Sequence, residues 1–578
     1  MQERYLITAA LPYVNNVPHI GNIAGSHLPA DVFARYCRLK GRRTLFIGGT
    51  DENGAPSEIA AEKAGVPVRE LCDTFFGIHR RIYEWFGLSY DNFSRTSRSL
   101  HHEITKEFFL ELQAKGFIFE KEMRQPYCPK DKRFLADRFV EGKCPKCAAQ
   151  GARGDQCEKC SSMLNPDELL EPYCVLCKSK PEIRETMHLF LDLEKLQPEL
   201  KKWVGSQKHW KPQVKNLALG WLAEGLKKRC ITRDLKWGVK VPVRGYEDKV
   251  FYVWFDAPIG YISSTKEWIL KNTALKGREE KEFAAWWKRD PAPLHTKLYH
   301  FIGKDNIPFH TIFFPAMLIG NGSFIMPHQV AGYQFLNYEG GKISKSKGRG
   351  VFCESFVESK ELSGDADLWR FFLTYRLPEV RDTEFTWKEF QSRINTELLG
   401  NLGNLVHRIS TFIAAKKGAI VPEKPPHLSK EDEKMLAGID AAVKKVDALY
   451  DDIEFVAAIQ AILELSAECN RYFQAAEPWK NPARQDAVLY AGARTCAALS
   501  VLLSPVMPAT AAKIRKVFGL KKKFAWDDAL AEDVSGKPVA PEIIRERLTD
   551  EQIAQMKLLS TKVGGVEERM GKHRAQKD

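Results

Sequence analysis

The sequence is short of several things. No apolar run approaches the ~18–20 residues that would span a bilayer, which argues against a membrane protein. The start, Met1-Gln2-Glu3-Arg4-Tyr5, has neither the basic stretch nor the small-residue cleavage site of a secretory leader. Internal repeats and low-complexity tracts are missing, so nothing points to a solenoid or a disordered tail. Cysteine is present but odd in number, 13 in all, which does not suit a disulfide framework. Six of the cysteines fall in three C-x2-C pairs between residues 144 and 177 and read as metal ligands in a reducing compartment. The expectation is a cytosolic protein that contacts no membrane.

What is present is ordinary globular material. The 578 residues are 44% hydrophobic, with 33 Phe, 17 Tyr and 13 Trp, enough for about three to five domains at roughly 100–200 residues each. The net charge is +13, from 87 Lys and Arg against 74 Asp and Glu. The excess is local. Residues 401–540 hold 19 basic against 17 acidic side chains, whereas 201–240 hold eleven against two. Those eleven include Lys227, Lys228 and Arg229, and they alternate with Trp203, Trp210, Trp221 and Trp237. Such a mixture suits a nucleic-acid backbone with base stacking, or equally a solvated helix face over core tryptophans.

Residues 4–10 and Arg43–Ile47 have the pattern of buried strands, separated by helical spacing over Ile20–Leu39. Strand, turn, helix, strand is the βαβ signature of a parallel α/β sheet. The rhythm breaks near 119, and the segment 128–177 is too dense in Cys, Lys, Gly and Pro for sheet or helix, so it reads as an insertion. Strand patterns resume at Val250–Trp254 and Leu298–Ile302. Beyond about 395 the period is 3.6, over Leu398–Phe412, Glu431–Tyr450, Ile453–Phe473 and Ala487–Leu503, which predicts a helix bundle. A last helix is expected near Asp550–Leu559.

Three patterns bear on chemistry. His19, Gly21 and Asn22 fall where the first strand gives way to a helix, the place where α/β sheets bind ligands and helix starts receive phosphates. Alone, this is also the pattern of a surface histidine near a turn. Lys342, Ser344, Lys345, Ser346 and Lys347, flanked by glycines, make a cationic loop suited to polyphosphate, or simply a solvated one. Cys144, Cys147, Cys157 and Cys160 have the spacing of a closed four-thiolate zinc site. A nested set, Cys128, Asp131, Cys174 and Cys177, has Asp131 where a fourth cysteine would stand, leaving either a Cys3Asp site or a degenerate knuckle.

Taken together, His19–Asn22 resembles the HIGH signature and Lys342–Ser346 the KMSKS signature of class I aminoacyl-tRNA synthetases. Leu11–Asn22, Gly49–Glu52, Phe134–Arg138, Tyr252–Tyr261 and Phe301–Asp305 narrow the resemblance to the methionyl-tRNA synthetase family, in its archaeal and eukaryotic-like branch, from about residue 4 to about 530. Asn22 and Ile343 depart from the signatures. The resemblance implies a Rossmann-like catalytic domain at 1–118 and 216–335, a zinc-bearing insertion at 119–215 and a linking segment at 336–395. An all-α anticodon-binding bundle would follow at 396–540, then a tail at 541–578. It also implies ATP with Mg²⁺, L-methionine, tRNA(Met) including the initiator, and one or two structural Zn²⁺.

Catalysis would fall to His19, Asn22, Lys342 and Lys345, with Gly303 and Asp305 at the ribose. Methionine would meet Leu11, Tyr13, Asp51, Trp254, Ala257, Pro258, Tyr261 and His310. Asp51 would anchor the ammonium, and Tyr13, Trp254 and Tyr261 would contact the thioether as aromatic rings do sulfur. Asn404, Arg408 and Trp479 would face the anticodon. A monomer is expected. Two rival readings are a class I synthetase for another apolar amino acid and a non-catalytic RNA-binding paralogue.

Overall fold

The computed structural model describes residues 3–154, 157, 159–160, 162, 164–289, 296–344, 348–359, 365–560 and 569–570. Five strands form one parallel sheet: β1 (Arg4–Ala9), β2 (Arg43–Thr50), β3 (Asn92–Arg95), β4 (Thr296–Gly303) and β5 (Pro327–Tyr333). Their order is β5-β4-β1-β2-β3. All six residues of β1 are buried, as an apolar strand covered by helices on both faces should be. β2 and β3 are added on one side of β1 and β4 and β5 on the other, so strand order reverses between β1 and β4, and the crevice at their carboxyl ends is where such sheets hold ligands.

The expected helix after β1 is present as one continuous stretch over Ile20–Leu39 with a π turn at Ile23–His27. The extra residue of a π turn shifts side chains off the α register, commonly at functional sites. Here it sets Ser26 against the crevice. Ser26 Oγ accepts from Ala10 N at 2.8 Å and donates to Phe301 O at 2.7 Å, joining β1 to β4 where they splay.

Two expectations need correction. Segment 128–177 does form sheet: Val140–Lys143 lies between Ala152–Arg153 and Leu170–Cys174, all antiparallel. Close packing explains why small and turn-forming residues serve there. A Cβ on Gly142 would sit 2.6 Å from Leu170 O, so only glycine lets these strands pair. The second correction concerns Val250–Trp254. Only Val250–Phe251 is strand, and Val253–Asp256 is a helical turn, so Trp254 is on a helix. A short apolar run does not distinguish the two.

The insertion hangs from a long antiparallel hairpin, Ile118–Cys128 with Glu182–Leu191. The C-terminal helices follow the predicted periodicity: Trp387–Lys416 (with a π stretch at Ile394–Gly403), Lys430–Asp451, Phe455–Ala476 and Gln485–Leu503. Against the expectation that no apolar run approaches membrane-spanning length, Pro482–Leu503, which contains the last of these, is apolar enough to cross a membrane by length and composition, yet 89% of its most apolar 18 residues are buried, as befits the core helix of a bundle. The bundle docks firmly on the catalytic half. Arg370, fully buried, reaches Asp31 at 2.7 Å and the carbonyls of Phe86, Pro505 and Val506. Arg42 meets Asp451 with two bonds of 2.6 and 3.0 Å. The helix Asp550–Ser560 then returns to the segment 336–395, where Ser560 O accepts from Phe352 N at 3.2 Å.

Candidate active site

A cavity of about 570 Å³ opens at the β1–β4 crevice. Of the residues singled out in the sequence, it is lined by Leu11, Tyr13, His19, Asn22, Gly303, Asp305 and Lys342. His19 is the N-cap of the helix, and Asn22 Oδ1 accepts from His19 N at 3.0 Å, the N3-to-N-cap half of a capping box. His19 Nδ1 is buried and has no hydrogen-bond partner. Burial holds the ring down at about 4, so it is a neutral hydrogen-bonding group at pH 7. Gly21 first makes room for protein atoms: a Cβ there would fall 3.0 Å from the His19 ring and 3.3 Å from Ile343 Cδ1.

The lysine loop is stitched to this point. Ile20 N donates to Val351 O at 3.1 Å and Cys353 N to Pro18 O at 2.9 Å, while Phe352 packs edge-on to His19. Ser344 and Arg349 pair across the loop's base with bonds of 2.8 and 2.9 Å. Lys304 and Lys342 both lie over the Phe335 ring, at 3.9 and 5.3 Å, on the cavity's edge. Lys345 lies outside the described residues.

Behind Leu11 and Tyr13 is a second group. Tyr13 pairs with Asp51 across the backbone, and Leu11 packs so tightly on Gly260 that a Cβ there would come within 2.8 Å. His310 Nδ1 donates to Asn306 O at 2.9 Å, which leaves Nε2 to accept from the Tyr261 hydroxyl, also at 2.9 Å. Burial lowers His310 to about 4, consistent with that neutral tautomer. Trp254 packs on Phe309 with ring centroids 4.0 Å apart and planes tilted by 59°, and Arg229 lies over the Trp254 ring at 5.4 Å and that of Tyr252 at 6.0 Å. Ala257, half-buried, caps the end of the helical turn Val253–Asp256, and Pro258, buried, is the N-cap of the next helix, Ile259–Lys271. None of Asp51, Trp254, Ala257, Pro258, Tyr261 and His310 lines the large cavity; the group is joined to it through Tyr13 and Leu11, which do, by way of Asp51 and Gly260.

Two adjacent carboxylates differ in a telling way. Glu52 is fully engaged by Arg95, Thr50 and Ser97. Asp51 is 4% exposed and its Oδ1 has no partner. Burial and the nearby Asp256 hold the Asp51 carboxyl well above the usual range. A buried carboxylate without a cation is a costly arrangement, and an ammonium placed there would relieve it.

Sequence reasoning missed His27, Phe335 and Phe352, all on the cavity wall. His27 Nδ1 and Nε2 bond the Tyr90 and Tyr83 hydroxyls at 2.7 and 3.1 Å. Its place two turns after His19 was the available signal; Phe335 and Phe352 had none.

The insertion brings each cysteine set together. In Cys144, Cys147, Cys157 and Cys160 all four sulfurs lie within 4.8 Å of one another, with separations of 3.9 Å (144 to 160) and 3.7 Å (147 to 157). A tetrahedron of Zn–S bonds near 2.3 Å has edges of about 3.8 Å. Cys128, Asp131, Cys174 and Cys177 also converge, with Asp131 Oδ2 3.0 Å from Cys174 Sγ and Cys128 3.4 Å from Cys177.

In the bundle, Asn404 and Arg408 share a face with Trp479. Arg408 bonds Gln474 at 2.9 Å and lies over Phe473, whose ring is 6.0 Å from Trp479, itself 41% exposed. Asn404 bonds Asn470 at 3.2 Å. The tryptophans of 201–240 are occupied by packing: Trp210 is buried against Trp203, Trp221 meets Phe313, and Trp237 carries Arg69 and donates to Glu52 O. Stacking on nucleic-acid bases there is not what this packing favours.

Residues 5–410 match the family of class I tRNA synthetases (M), and 421–567 match the anticodon binding domain of methionyl tRNA ligase. The methionine–tRNA ligase of Treponema denticola is 45% identical over 533 residues, 90% of this chain and 65% of that protein. That of Flavobacterium psychrophilum is 40% identical over 98% of this chain and 82% of its own. The cytoplasmic ligase of Homo sapiens is 42% identical over 89% of this chain and 56% of its own. Against the Treponema denticola and animal relatives the chain thus spans 56–65% of their length. Mycobacterium tuberculosis methionyl-tRNA synthetase bound by methionyl-adenylate superposes with a TM-score of 0.75 at 26% identity, covering 94% of this chain and 99% of that one.

Proposed function

Because the chain belongs to the class I tRNA synthetases of the methionine type, we propose that it activates L-methionine with ATP and transfers it to tRNA(Met), the initiator included. The observation that carries this reading is a buried Asp51, its Oδ1 without a hydrogen-bond partner, beside aromatic and aliphatic side chains and next to Tyr13 of a cavity headed by a helix N-cap.

The chemistry follows from that placement. The methionine ammonium meets Asp51, and the thioether lies among Tyr13, Trp254 and Tyr261 against Leu11, Ala257 and Pro258. Tyr261, held by His310, keeps its ring fixed. The carboxylate attacks the ATP α-phosphate and pyrophosphate leaves; a hydroxyl of the tRNA terminal adenosine then attacks the acyl carbon of the adenylate, and AMP leaves. Neither step needs a protein nucleophile. His19 and Asn22 stabilise the five-coordinate phosphorus at the helix start, Gly303 and Asp305 receive the ribose, and Lys342 and Lys345 follow the leaving pyrophosphate. Mg²⁺ accompanies ATP and offsets phosphate charge. An apolar slot rejects a methylene-sized change by only ~1–3 kcal/mol, so homocysteine is the demanding competitor.

We further assign Zn²⁺ to both cysteine sets, where it holds together an insertion with little core of its own. Two zinc ions per chain are expected by metal counting, and Asp131→Ala should reduce that to one. The division into catalytic, insertion, linking, bundle and tail segments is retained as the working scheme, with a cytoplasmic monomer. The tRNA step is checked by charging a tRNA bearing the CAU anticodon. Arg408→Ala or Trp479→Ala is expected to lower kcat/KM for tRNA about 10–100-fold, from ~1–3 kcal/mol per stacked base, with pyrophosphate exchange unchanged. Equal loss in both assays would remove these residues from anticodon reading.

A further inference from the structure

Cys230 differs from every other cysteine outside the insertion. Cys37, Cys72, Cys353, Cys469 and Cys496 have no exposed surface, and burial pushes each of those thiols up. Cys230 keeps 8% exposure. It pairs with Phe190 on the edge of the hairpin that carries the insertion, which puts His188, two residues before Phe190, on the same face. His188 donates a hydrogen bond to the Cys230 sulfur. The ring is fully buried, with Nε2 3.0 Å from Asp234 Oδ2 and Nδ1 2.9 Å from Thr232 Oγ1. Lys249 pairs with Asp234 in turn, and Arg233, bound to Asp137 at 2.9 Å, donates to Cys230 O at 3.3 Å. Burial acts against a thiolate here, but the His188 imidazole and the Arg233 guanidinium outweigh it and hold this thiol below its usual value. Burial also acts against charge on His188, yet Asp234 and Cys230 hold it above its own.

A thiol beside an imidazole that a carboxylate orients is the setting of a reactive, oxidisable cysteine, and the aminoacylation chemistry makes no use of it. We propose that Cys230 is a peroxide-sensitive modification site, at which hydrogen peroxide forms a sulfenic acid with His188 as the proton donor. The Cys230 sulfur attacks one peroxide oxygen. The S–O bond forms, the O–O bond breaks, and the departing hydroxide takes the His188 proton and leaves as water. Sulfur loses two electrons and the peroxide gains them. Two molecules of a small thiol reverse the change: the first displaces water to give a mixed disulfide, and the second releases Cys230 and a free disulfide. The site also adjoins methionine recognition, and this part rests on the function proposed above. Arg229, next in the chain, lies over Trp254 and Tyr252, and Thr232–Arg233 pairs with Val250–Phe251 just before them. An oxygen added at a sulfur so closely packed displaces these partners, so oxidation weakens methionine binding.

The test exposes the full chain to a small excess of hydrogen peroxide and then unfolds it in dimedone, which traps a sulfenic acid as a stable thioether wherever it lies; the peptides are analysed by mass. Cys230 should be labelled ahead of the five fully buried cysteines. His188→Gln should slow that labelling at pH 7 about tenfold, the change in thiolate fraction for one unit of thiol pKa. Asp234→Asn, which leaves His188 in place, should slow it in the same direction. In parallel, peroxide should raise the methionine KM in pyrophosphate exchange about 10-fold, as for a methylene-sized misfit in the pocket. The ATP KM should stay as it was, and dithiothreitol should restore the loss. Cys230→Ser and Cys230→Ala should exchange normally and resist peroxide, with zinc counted before and after. Labelling of Cys230 no faster than the five buried cysteines would overturn the proposal, as would equal rates in wild type and both neighbour variants. Inactivation that the Cys230 variants do not escape, with zinc lost, would overturn the link to methionine and place the damage in the insertion. Labelling at Cys230 in a wild type that exchanges pyrophosphate with no amino acid would uphold the sulfur chemistry and sink the underlying function instead.

Discussion

Asp51→Asn should lower kcat/KM for methionine about 10²–10³-fold and leave the folded chain at least as stable as before. The loss follows from taking one member out of a buried charge pair, worth about 3–5 kcal/mol. The unaltered stability follows from the carboxylate's situation without substrate: buried, facing Asp256, and with Oδ1 unpartnered. Both effects have a pH signature. A carboxyl raised above its unfolded value penalises the fold once it ionises, so acidification from that raised value towards the unfolded value of about 3.9 stabilises wild type. The Asn variant should lack that increment. Calorimetry alongside steady-state kinetics checks the pair of outcomes; a variant that lost activity only in proportion to lost stability would make Asp51 a structural residue.

His19→Ala should cost about 10²–10³-fold in kcat for activation, the scale of one lost donor to a developing negative charge, with the methionine KM within about threefold. Gly21 leaves space for this ring and Phe352 supports it, so a hydrogen-bonding replacement, His19→Asn, should recover part of the loss. Held down at about 4 by burial, His19 is already neutral above pH 5.5 and should contribute no limb to the rate profile between pH 6 and 8. For stability the sign is opposite to that of Asp51. Between about 4 and the unfolded value near 6.5, the unfolded chain binds the proton that the native one refuses, so the fold weakens as pH falls through that window. His310, also lowered to about 4 by burial, acts in the same direction.

How much of this could be read from the sequence differs by residue. His19, Asn22 and Lys342 were legible because their chemistry is local: a helix start and a cationic loop announce themselves by residue type and spacing. Their meeting was legible only through resemblance, since nothing in 342–353 says that Val351 and Cys353 bond Ile20 and Pro18. The bundle was legible from period alone. Trp254 was placed on a strand because five apolar residues do not reveal whether the chain turns after Phe251. The three-stranded sheet of the insertion was hidden by the same glycines and prolines that allow its close pairing. By composition the 201–240 tryptophans suit a stacking surface and a packed core equally, because what decides between them, such as Glu52 O for Trp237, is far away in the chain. The cluster at Cys230 was invisible for that reason too, being built from residues 188, 230–234 and 249.

The central claim is that an ammonium and a thioether are read together at Asp51 and its aromatic wall, in front of an adenylate-forming site. ATP–pyrophosphate exchange measured with each of the twenty amino acids tests it most directly, with Asp51→Asn and Lys345→Ala as controls. Exchange should be led by methionine, with leucine and isoleucine behind it and both controls strongly reduced. Faster exchange with another amino acid, or none with any, would contradict it.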